Sequence, residues 1–361
     1  MNLEKLKKDF KGEVEFDSAT LDKYSHDASL FEVVPEVVVF PKDSSDVQAL
    51  VSFVAESKKN EKNISITARS AGTCMSGGSI NESIILDTTK YLNKIISIEE
   101  SKAVAEPGVY YRDFEKETLN IGYIMPAYTA SKELCAIGGM VGNNCGGEKT
   151  IKYGKIENYI QRQKVVLSDG HEYEIKPLSK TELYAKIAKE DFEGNIYKKV
   201  FDLIESNYDV IQSAKPSVSK NSAGYYLWNV WNRETGIFDL NKLIVGSQGT
   251  LGITTEVELG LVKVPKHSKM VIIYMNKIDQ LGGVVDTVMK YEPESFESFD
   301  DYSMKLAIRF IWDFFKKLGF WGAIKLGLQF IPDMLLVLRG GVPKLILMAE
   351  LTGDDEDELE K

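Results

Sequence analysis

The run Ile64-Ser-Ile-Thr-Ala68 passes directly into Arg69-Ser-Ala-Gly72-Thr-Cys-Met-Ser-Gly77-Gly78-Ser79. A short β-branched strand that opens into a loop of Gly, Ser and Thr sets the reading of everything around it. Glycine loses more backbone entropy on folding than other residues, so it collects where φ is positive or another group must come close. Small residues in series expose successive backbone N–H groups, and Ser and Thr hydroxyls add donors. Such a nest suits an anionic pyrophosphate. An ordinary Gly/Ser surface loop is the equal alternative for these residues taken alone.

Upstream, Pro35-Glu-Val-Val-Val-Phe-Pro41 is a β-branched run bounded by prolines and predicts a strand. Asp43 to Lys59 carries apolar residues at 47, 50, 51 and 54, which is helical spacing, with Ser44, Ser45 and Asp46 available as caps. Ile84 to Asp87 predicts another strand, so residues 31–98 read as a β-α-β-loop-β module. Downstream, a strand over 103–109 and a helix over 112–120 precede a Gly/Ser/Asn-rich stretch at 126–154. Ser168-Asp-Gly-His171 between two strand-like runs signals a hairpin. Helical patterns cover 181–189 and 197–206. A third glycine cluster, Gly246-Ser-Gln-Gly-Thr-Leu-Gly252, leads into a strand over 253–264, and Pro265 marks a boundary. Beyond it come a strand at 270–275, a helix at 279–291, a very apolar stretch at 306–338 and a strand at 345–351. The expected organisation is a helical lead-in over 1–30, a binding domain over 31–264 in two parts (31–98 and 99–264), and part of a second domain over 265–361. The strand before the acidic end Asp354–Lys361 implies a sheet that continues, which predicts a fragment; a solvated acidic tail is the alternative.

The 361 residues carry 44 Lys+Arg against 54 Asp+Glu, a net charge of −10. That balance argues against a nucleic-acid partner, since phosphate contact needs clustered cations. A 43% hydrophobic content suits a globular core. Cys74, Cys135 and Cys145 make no CxxC pair and read as free thiols of a reducing, cytoplasmic compartment. His26, His171 and His267 are scattered, so no metal site is expected. Met1 to Phe10 is charged from Glu4 onward with no apolar run, which reads against a signal peptide. No G-x-G-x-x-G fingerprint is present. Residues 142–150 miss a P-loop because Glu148 displaces the Lys by one position.

In this order and spacing, the motifs resemble the FAD-binding domain of the vanillyl-alcohol oxidase and p-cresol methylhydroxylase (PCMH) superfamily. Within it the chain is similar to the branch of D-lactate dehydrogenases, D-2-hydroxyglutarate dehydrogenases and the D subunit of glycolate oxidase. The resemblance covers roughly residues 20–265. It rests on 35–41, 69–78, Leu86-Asp87, Glu106-Pro-Gly108, Pro126–Ser131, Cys135–Asn144, Tyr153-Gly154 and 246–252. It implies an α+β fold: a PCMH-type domain of two α/β subdomains gripping an extended FAD, then a cap domain.

By motif, the resemblance implies cofactor contacts from Arg69, Ser70, Ala71, Gly72, Thr73, Cys74, Met75, Ser76 and Gly77 around the pyrophosphate. Pro126 and Ser131 belong to a second cofactor-facing stretch, in which this chain has Thr129 where the family carries Pro. Ile137, Gly138, Gly139, Asn143, Asn144 and Gly147 belong to the segment against the flavin and ribityl chain. Gly249, Gly252 and Ile253 belong to the adenine-side turn, where Gln248 replaces the family's usual Glu. The covalent flavin linkage of some members uses a His in the first loop, and residues 69–79 contain none. The implied FAD is therefore dissociable. Cys74 and Cys135 read as small thiols rather than tethers.

The implied activity is oxidation of a 2-hydroxy acid such as D-lactate, glycolate or 2-hydroxyglutarate. Such a reaction needs a cation for the carboxylate, a base for the hydroxyl proton and a Cα–H aimed at the flavin. The family's His/Glu base and metal set has no match in this chain and is expected beyond Lys361. Candidates within it are Lys220 and Tyr225, with a structural turn as the alternative, and Arg309, with a solvated helix face as the alternative. The stretch 306–338 mixes aromatics with Arg309, Lys316, Lys317 and Lys325. It has no uncharged run near the ~18 residues that span a bilayer. Peripheral contact with the inner membrane face, near a quinone acceptor, is weighed there against burial in the cap. An electron-transfer protein is the other acceptor class. A flavin-binding subunit of an iron–sulfur or membrane-linked complex, and oxidation of a different alcohol, are the competing functions.

Overall fold

Val37–Phe40, Ile66–Arg69 and Ile84–Asp87 form the parallel part of a four-stranded sheet, and Glu13–Glu15 joins its edge antiparallel to Val38–Phe40. The period-2 alternation of a strand decides which side chain meets which layer. Val37, Val39, Ile84 and Leu86 face the helix Ser44–Ser57, which buries Val47, Leu50, Phe53 and Val54 against them. Val38, Phe40 and Ile85 face the other way and pack with Tyr24 of the helix Ser18–Tyr24. Both helices start where an Asp side chain caps free N–H groups: Asp43 accepts from the Asp46 amide, and Asp17 from those of Ala19 and Thr20. The first thirty residues thus contain a strand as well as a helix.

The computed structural model describes residues 6, 8–60, 62–218, 221, 224–311, 313, 316, 322 and 341–360. They group into two compact units. The first is Met1–Thr150 with Gly154–Val264; the second is Ile151–Tyr153 with Pro265–Lys361. The fold is α+β.

The first unit also holds an antiparallel five-stranded sheet in the spatial order Ile95–Glu99, Lys102–Ala105, Ile253–Gly260, Ile160–Val166, Glu172–Ile175. Its central strand, Ile253–Gly260, is the element the third glycine cluster leads into. Tyr111 and Phe114 of the helix Tyr111–Leu119 fill the core beneath it with Met125, Ile137 and Met140. The Tyr111 hydroxyl donates to the Met125 carbonyl at 2.7 Å, so this buried phenol is satisfied. A third cluster packs the helices Lys180–Ile187 and Phe192–Ser206 onto Trp231, Phe238 and Leu240.

In the second unit, His267–Met275, Leu345–Gly353 and Ser295–Asp300 make an antiparallel sheet with Leu345–Gly353 at its centre. The helices Leu281–Met289 and Asp301–Arg309 accompany it. Glu294, only 1% exposed, accepts from the Tyr153 hydroxyl at 3.1 Å and from Thr352 Oγ1. Most of the apolar stretch 306–338 lies outside the described residues.

Candidate cofactor site

Parallel pairing puts Arg69 opposite Asp87, so the segments that follow both strands leave the sheet side by side. Ser70 ties them together: its hydroxyl lies 3.1 Å from Thr88 Oγ1 and 3.2 Å from the Pro107 carbonyl. The short helix Ile137–Gly142 then docks on the same point, with the Gly138 amide donating to the Pro107 carbonyl at 2.7 Å. A Cβ at Gly138 would meet Pro107 Cβ at 2.6 Å and Ser70 Oγ at 2.7 Å, so this approach requires glycine. The 246–252 turn completes the site. The Gly246 amide donates to the Val141 carbonyl and the Gln248 amide to the Gly142 carbonyl, both at 3.0 Å. Gln248 adopts φ 53°, a left-handed conformation uncommon for a residue with a Cβ.

These three walls enclose an open cleft, and cofactor sites are concave in this way. Ser70–Cys74, Gly78 and Ser79 form one wall. Ala136, Gly138, Gly139, Val141, Gly142 and Asn143 form the second. Ile244, Ser247, Gln248, Gly249, Gly252, Ile253 and Thr254 form the third, and Ala68, Thr88 and Pro107 join them. Every lining residue belongs to the first unit.

None of the lining side chains is Asp, Glu, Lys, Arg or His. Among the described residues, the backbone N–H groups of 71–78 donate to no protein acceptor. The cleft is therefore a neutral wall rich in unpaired amide donors, the arrangement that binds anionic oxygens without a cation. Asn144, 3% exposed, uses Oδ1 to accept the Glu157 amide at 3.2 Å while its Nδ2 has no partner. A buried donor left unpaired costs roughly 1–3 kcal/mol, so an acceptor is expected there.

Eleven of the residues expected from sequence meet at this cleft: Ser70, Ala71, Gly72, Thr73, Cys74, Gly138, Gly139, Asn143, Gly249, Gly252 and Ile253. Nine do not line it. Arg69 turns its guanidinium behind Gly72, 5.0 Å over the Tyr24 ring, and burial pulls its pKa down against the opposing pull of Tyr24, Asp87 and Asp27. Met75 and Ser76 face solvent, and Gly77 packs against Phe31. Pro126 is buried, and Ile137 is a core residue at 0% exposure. Ser131 accepts the Leu134 and Cys135 amides in a turn, and Gly147 sits against the Tyr128 carbonyl. Asn144 is the ninth. Thr88, Pro107, Ser247 and Gln248 line the cleft without having been singled out as site residues. The Glu106-Pro107-Gly108 motif and the Gly246–Gly252 cluster carried local signals for Pro107, Ser247 and Gln248, and Thr88 had none.

Of the candidates for substrate chemistry, Lys220 lies outside the described residues. The Tyr225 hydroxyl is 2.7 Å from Thr250 Oγ1, inside the 246–252 turn. Its neighbour Tyr226 is fixed by Lys155 Nζ, which donates to the phenol oxygen at 2.6 Å. Arg309 is exposed at the end of the helix Asp301–Arg309. Burial raises the pKa of Cys135 and Cys145, which keeps both as thiols. Among the described residues, no group of His, Cys, Asp and Glu is placed to hold a metal, and no helix is long and apolar enough to cross a membrane.

The α+β fold and the neutral cleft of amide donors suit an extended, anionic cofactor. Residues 35–176 match the family described as an FAD binding domain, and FAD is the cofactor of this domain. The residues present fit such a dinucleotide: unpaired amides at 71–78, and Gly138 and Gly139 in the lining, the first where a side chain would collide with Pro107 and Ser70. No histidine lines the cleft, in keeping with a dissociable flavin. The chain is similar to the D-2-hydroxyglutarate dehydrogenase of Escherichia coli (27% identity over 286 residues, 78% of this chain and 28% of that protein). It is also similar to the glycolate oxidase subunit GlcD of Bacillus subtilis (25% over 283 residues, 77% and 48%). A third relative is the D-lactate dehydrogenase of Archaeoglobus fulgidus (25% over 275 residues, 75% and 48%). The chain thus spans between about a quarter and a half of these curated relatives. Among solved structures, alkyldihydroxyacetonephosphate synthase superposes with a TM-score of 0.65 at 16% identity, covering 94% of this chain and 53% of that one. That likeness concerns the fold.

Proposed function

We propose that this chain is the flavin-binding part of an FAD-dependent dehydrogenase that oxidises a 2-hydroxy acid of the lactate, glycolate or 2-hydroxyglutarate class. The observation that carries the reading is the neutral cleft of unpaired amides, in a chain whose three relatives above are named for such acids. Bound FAD supplies the hydride acceptor. The 71–78 amides and the Thr73 hydroxyl hold the pyrophosphate oxygens. Gly138 and Gly139 would offer bare backbone to the ribityl and ring half of FAD, and Gly249 and Gly252 to the adenine half. Ser70, bonded to Thr88 and Pro107, keeps the first two walls in register.

The cleft lining contains neither a base nor a cation. The proton acceptor for the substrate hydroxyl and the clamp for its carboxylate therefore belong to other residues, with Tyr225, beside the 246–252 turn, as the described candidate for a substrate contact. We assign the re-oxidation step to a quinone or an electron-transfer protein, and the compartment to the cytoplasm with peripheral membrane contact through 306–338. One observation favours a second reading, a flavin subunit that works within a complex: a relative is itself named as a subunit.

Visible absorbance before and after acid precipitation tests the cofactor, with yellow protein releasing its colour to the supernatant as the expected result. Reduction of a dye acceptor over a panel of D-2-hydroxy acids and simple alcohols tests the substrate class. Turnover of alcohols but not hydroxy acids would overturn it.

A further inference from the structure

The loop at 70–79 makes little structure of its own: no backbone bond joins two of its residues, and the Ile80 amide just beyond it reaches the Gly77 carbonyl at 3.5 Å. Its shape is set from outside, by residues 24–31. The Ala28 amide donates to the Gly72 carbonyl at 3.1 Å. Ser79 Oγ donates to Asp27 Oδ2 at 3.0 Å. Phe31 packs where a side chain at Gly77 would be, and Arg69, lying over the Tyr24 ring, reaches the carbonyls of Tyr24 and Ser79 at 3.4 Å. The loop is held at its start, middle and end by one short segment.

That segment is itself pre-formed. The Val33 amide donates to the Ser25 carbonyl at 2.9 Å, the Ser29 amide to Asp27 Oδ1 at 2.8 Å, and the Tyr24 hydroxyl to Asp87 Oδ2 at 3.0 Å. Asp27 therefore uses one carboxylate oxygen to shape its own turn and the other to hold the far end of the loop. Holding donors in their binding geometry before the ligand arrives lowers the ordering cost of binding.

We propose that residues 24–31 form a strap that pre-shapes the 71–78 amides for the FAD pyrophosphate, with Asp27 as its positioning residue. This rests on the cofactor reading above and adds to it a group that is not itself part of the cleft lining. Asp27 is a carboxylate near a cradle for anions, so its charge alone would weaken FAD binding. Geometry and charge thus predict opposite signs on its removal, which makes the proposal testable.

The apoproteins of wild type, Asp27→Ala, Ser79→Ala and the double variant are titrated with FAD and with riboflavin, which lacks phosphate, by flavin fluorescence. The expected result is an FAD Kd raised about tenfold in each single variant, the loss of one charge-assisted hydrogen bond. The double variant is expected to be no worse than either single, because both changes delete the same bond. Riboflavin affinity stays unchanged. Tighter or equal FAD binding in Asp27→Ala overturns the strap, as does an equal loss for FAD and riboflavin. Should Asp27→Ala fail to fold, Phe31→Ala decides in its place, since Phe31 packs on Gly77, is exposed and lines no part of the cleft: weaker FAD binding with unchanged riboflavin affinity supports the strap, and unchanged FAD binding overturns it. Wild-type protein that takes up no FAD overturns the cofactor reading and the strap together; normal uptake with unaffected variants overturns the strap only.

Discussion

Gly138 and Gly283 show how differently two glycines of one chain are constrained. A methyl at Gly138 would run into Pro107 and Ser70, the contacts that seat one wall of the cleft on another. Overpacking of this kind costs roughly 1–3 kcal/mol. Gly138→Ala should therefore purify with a lower flavin-to-protein absorbance ratio and a lower melting midpoint. Gly283 lies in the helix Leu281–Met289 with nothing within 4 Å of the position a Cβ would take. There Gly283→Ala should raise stability by about 0.5–1 kcal/mol and leave flavin content alone, measured by urea denaturation. Cys74 supplies a second test at this scale. It is the one cysteine that lines the cleft, and burial keeps Cys135 and Cys145 as thiols. Brief treatment of apoprotein with a thiol reagent should label one site, lost in Cys74→Ser and protected by added FAD. Labelling that FAD leaves untouched would place the cofactor elsewhere. Local composition made Gly72 and Cys74 readable as site residues, and the family resemblance added Gly138. Asp27 was not readable, because its partner Ser79 lies 52 positions away and no pattern in sequence joins them.

At the scale of elements, the strands and helices that announce themselves by periodicity fall close to where the spacing predicts them. The helix expected over 43–59 runs Ser44–Ser57, and the strand expected at 84–87 runs Ile84–Asp87. The misses share a cause. Ile137–Gly142 is a helix with three glycines in six residues, against its own propensity, and it exists because it packs on Pro107. Glu13–Glu15 is a three-residue strand with two charges, defined by its pairing with Val38–Phe40 rather than by its composition. Where an element has a local start signal, the signal is worth measurable energy. Asp191 caps the helix Phe192–Ser206 by accepting the Gly194 amide at 2.7 Å, and that helix buries Tyr197 and Ile204. Asp191→Ala should lower stability by about 1 kcal/mol while FAD affinity holds, because the helix lines no part of the cleft. Equal effects on both would mean that the third cluster and the cleft unfold as one.

Across the whole molecule, the charge distribution fixes how the cofactor binds. The chain carries −10 overall, and no charged side chain lines the cleft that fits a dianionic pyrophosphate. Long-range forces therefore oppose FAD, and short hydrogen bonds from neutral amides must hold it. Salt distinguishes the two kinds of force. Raising ionic strength shortens the Debye length from about 10 Å at 0.1 M to about 3 Å at 1 M, which screens like-charge repulsion and leaves close contacts nearly intact. FAD affinity should accordingly stay level or tighten between low salt and about 0.5 M sodium chloride, with the gain appearing in the association rate. A site built on Lys or Arg contacts to phosphate would do the reverse and weaken steeply. Arg69 sharpens the comparison, because its guanidinium lies behind Gly72 and outside the lining. Stopped-flow fluorescence across that salt range reads both rates. A steep loss of affinity would show that a cation reaches the pyrophosphate after all, and Arg69→Met, by abolishing that loss, would identify it.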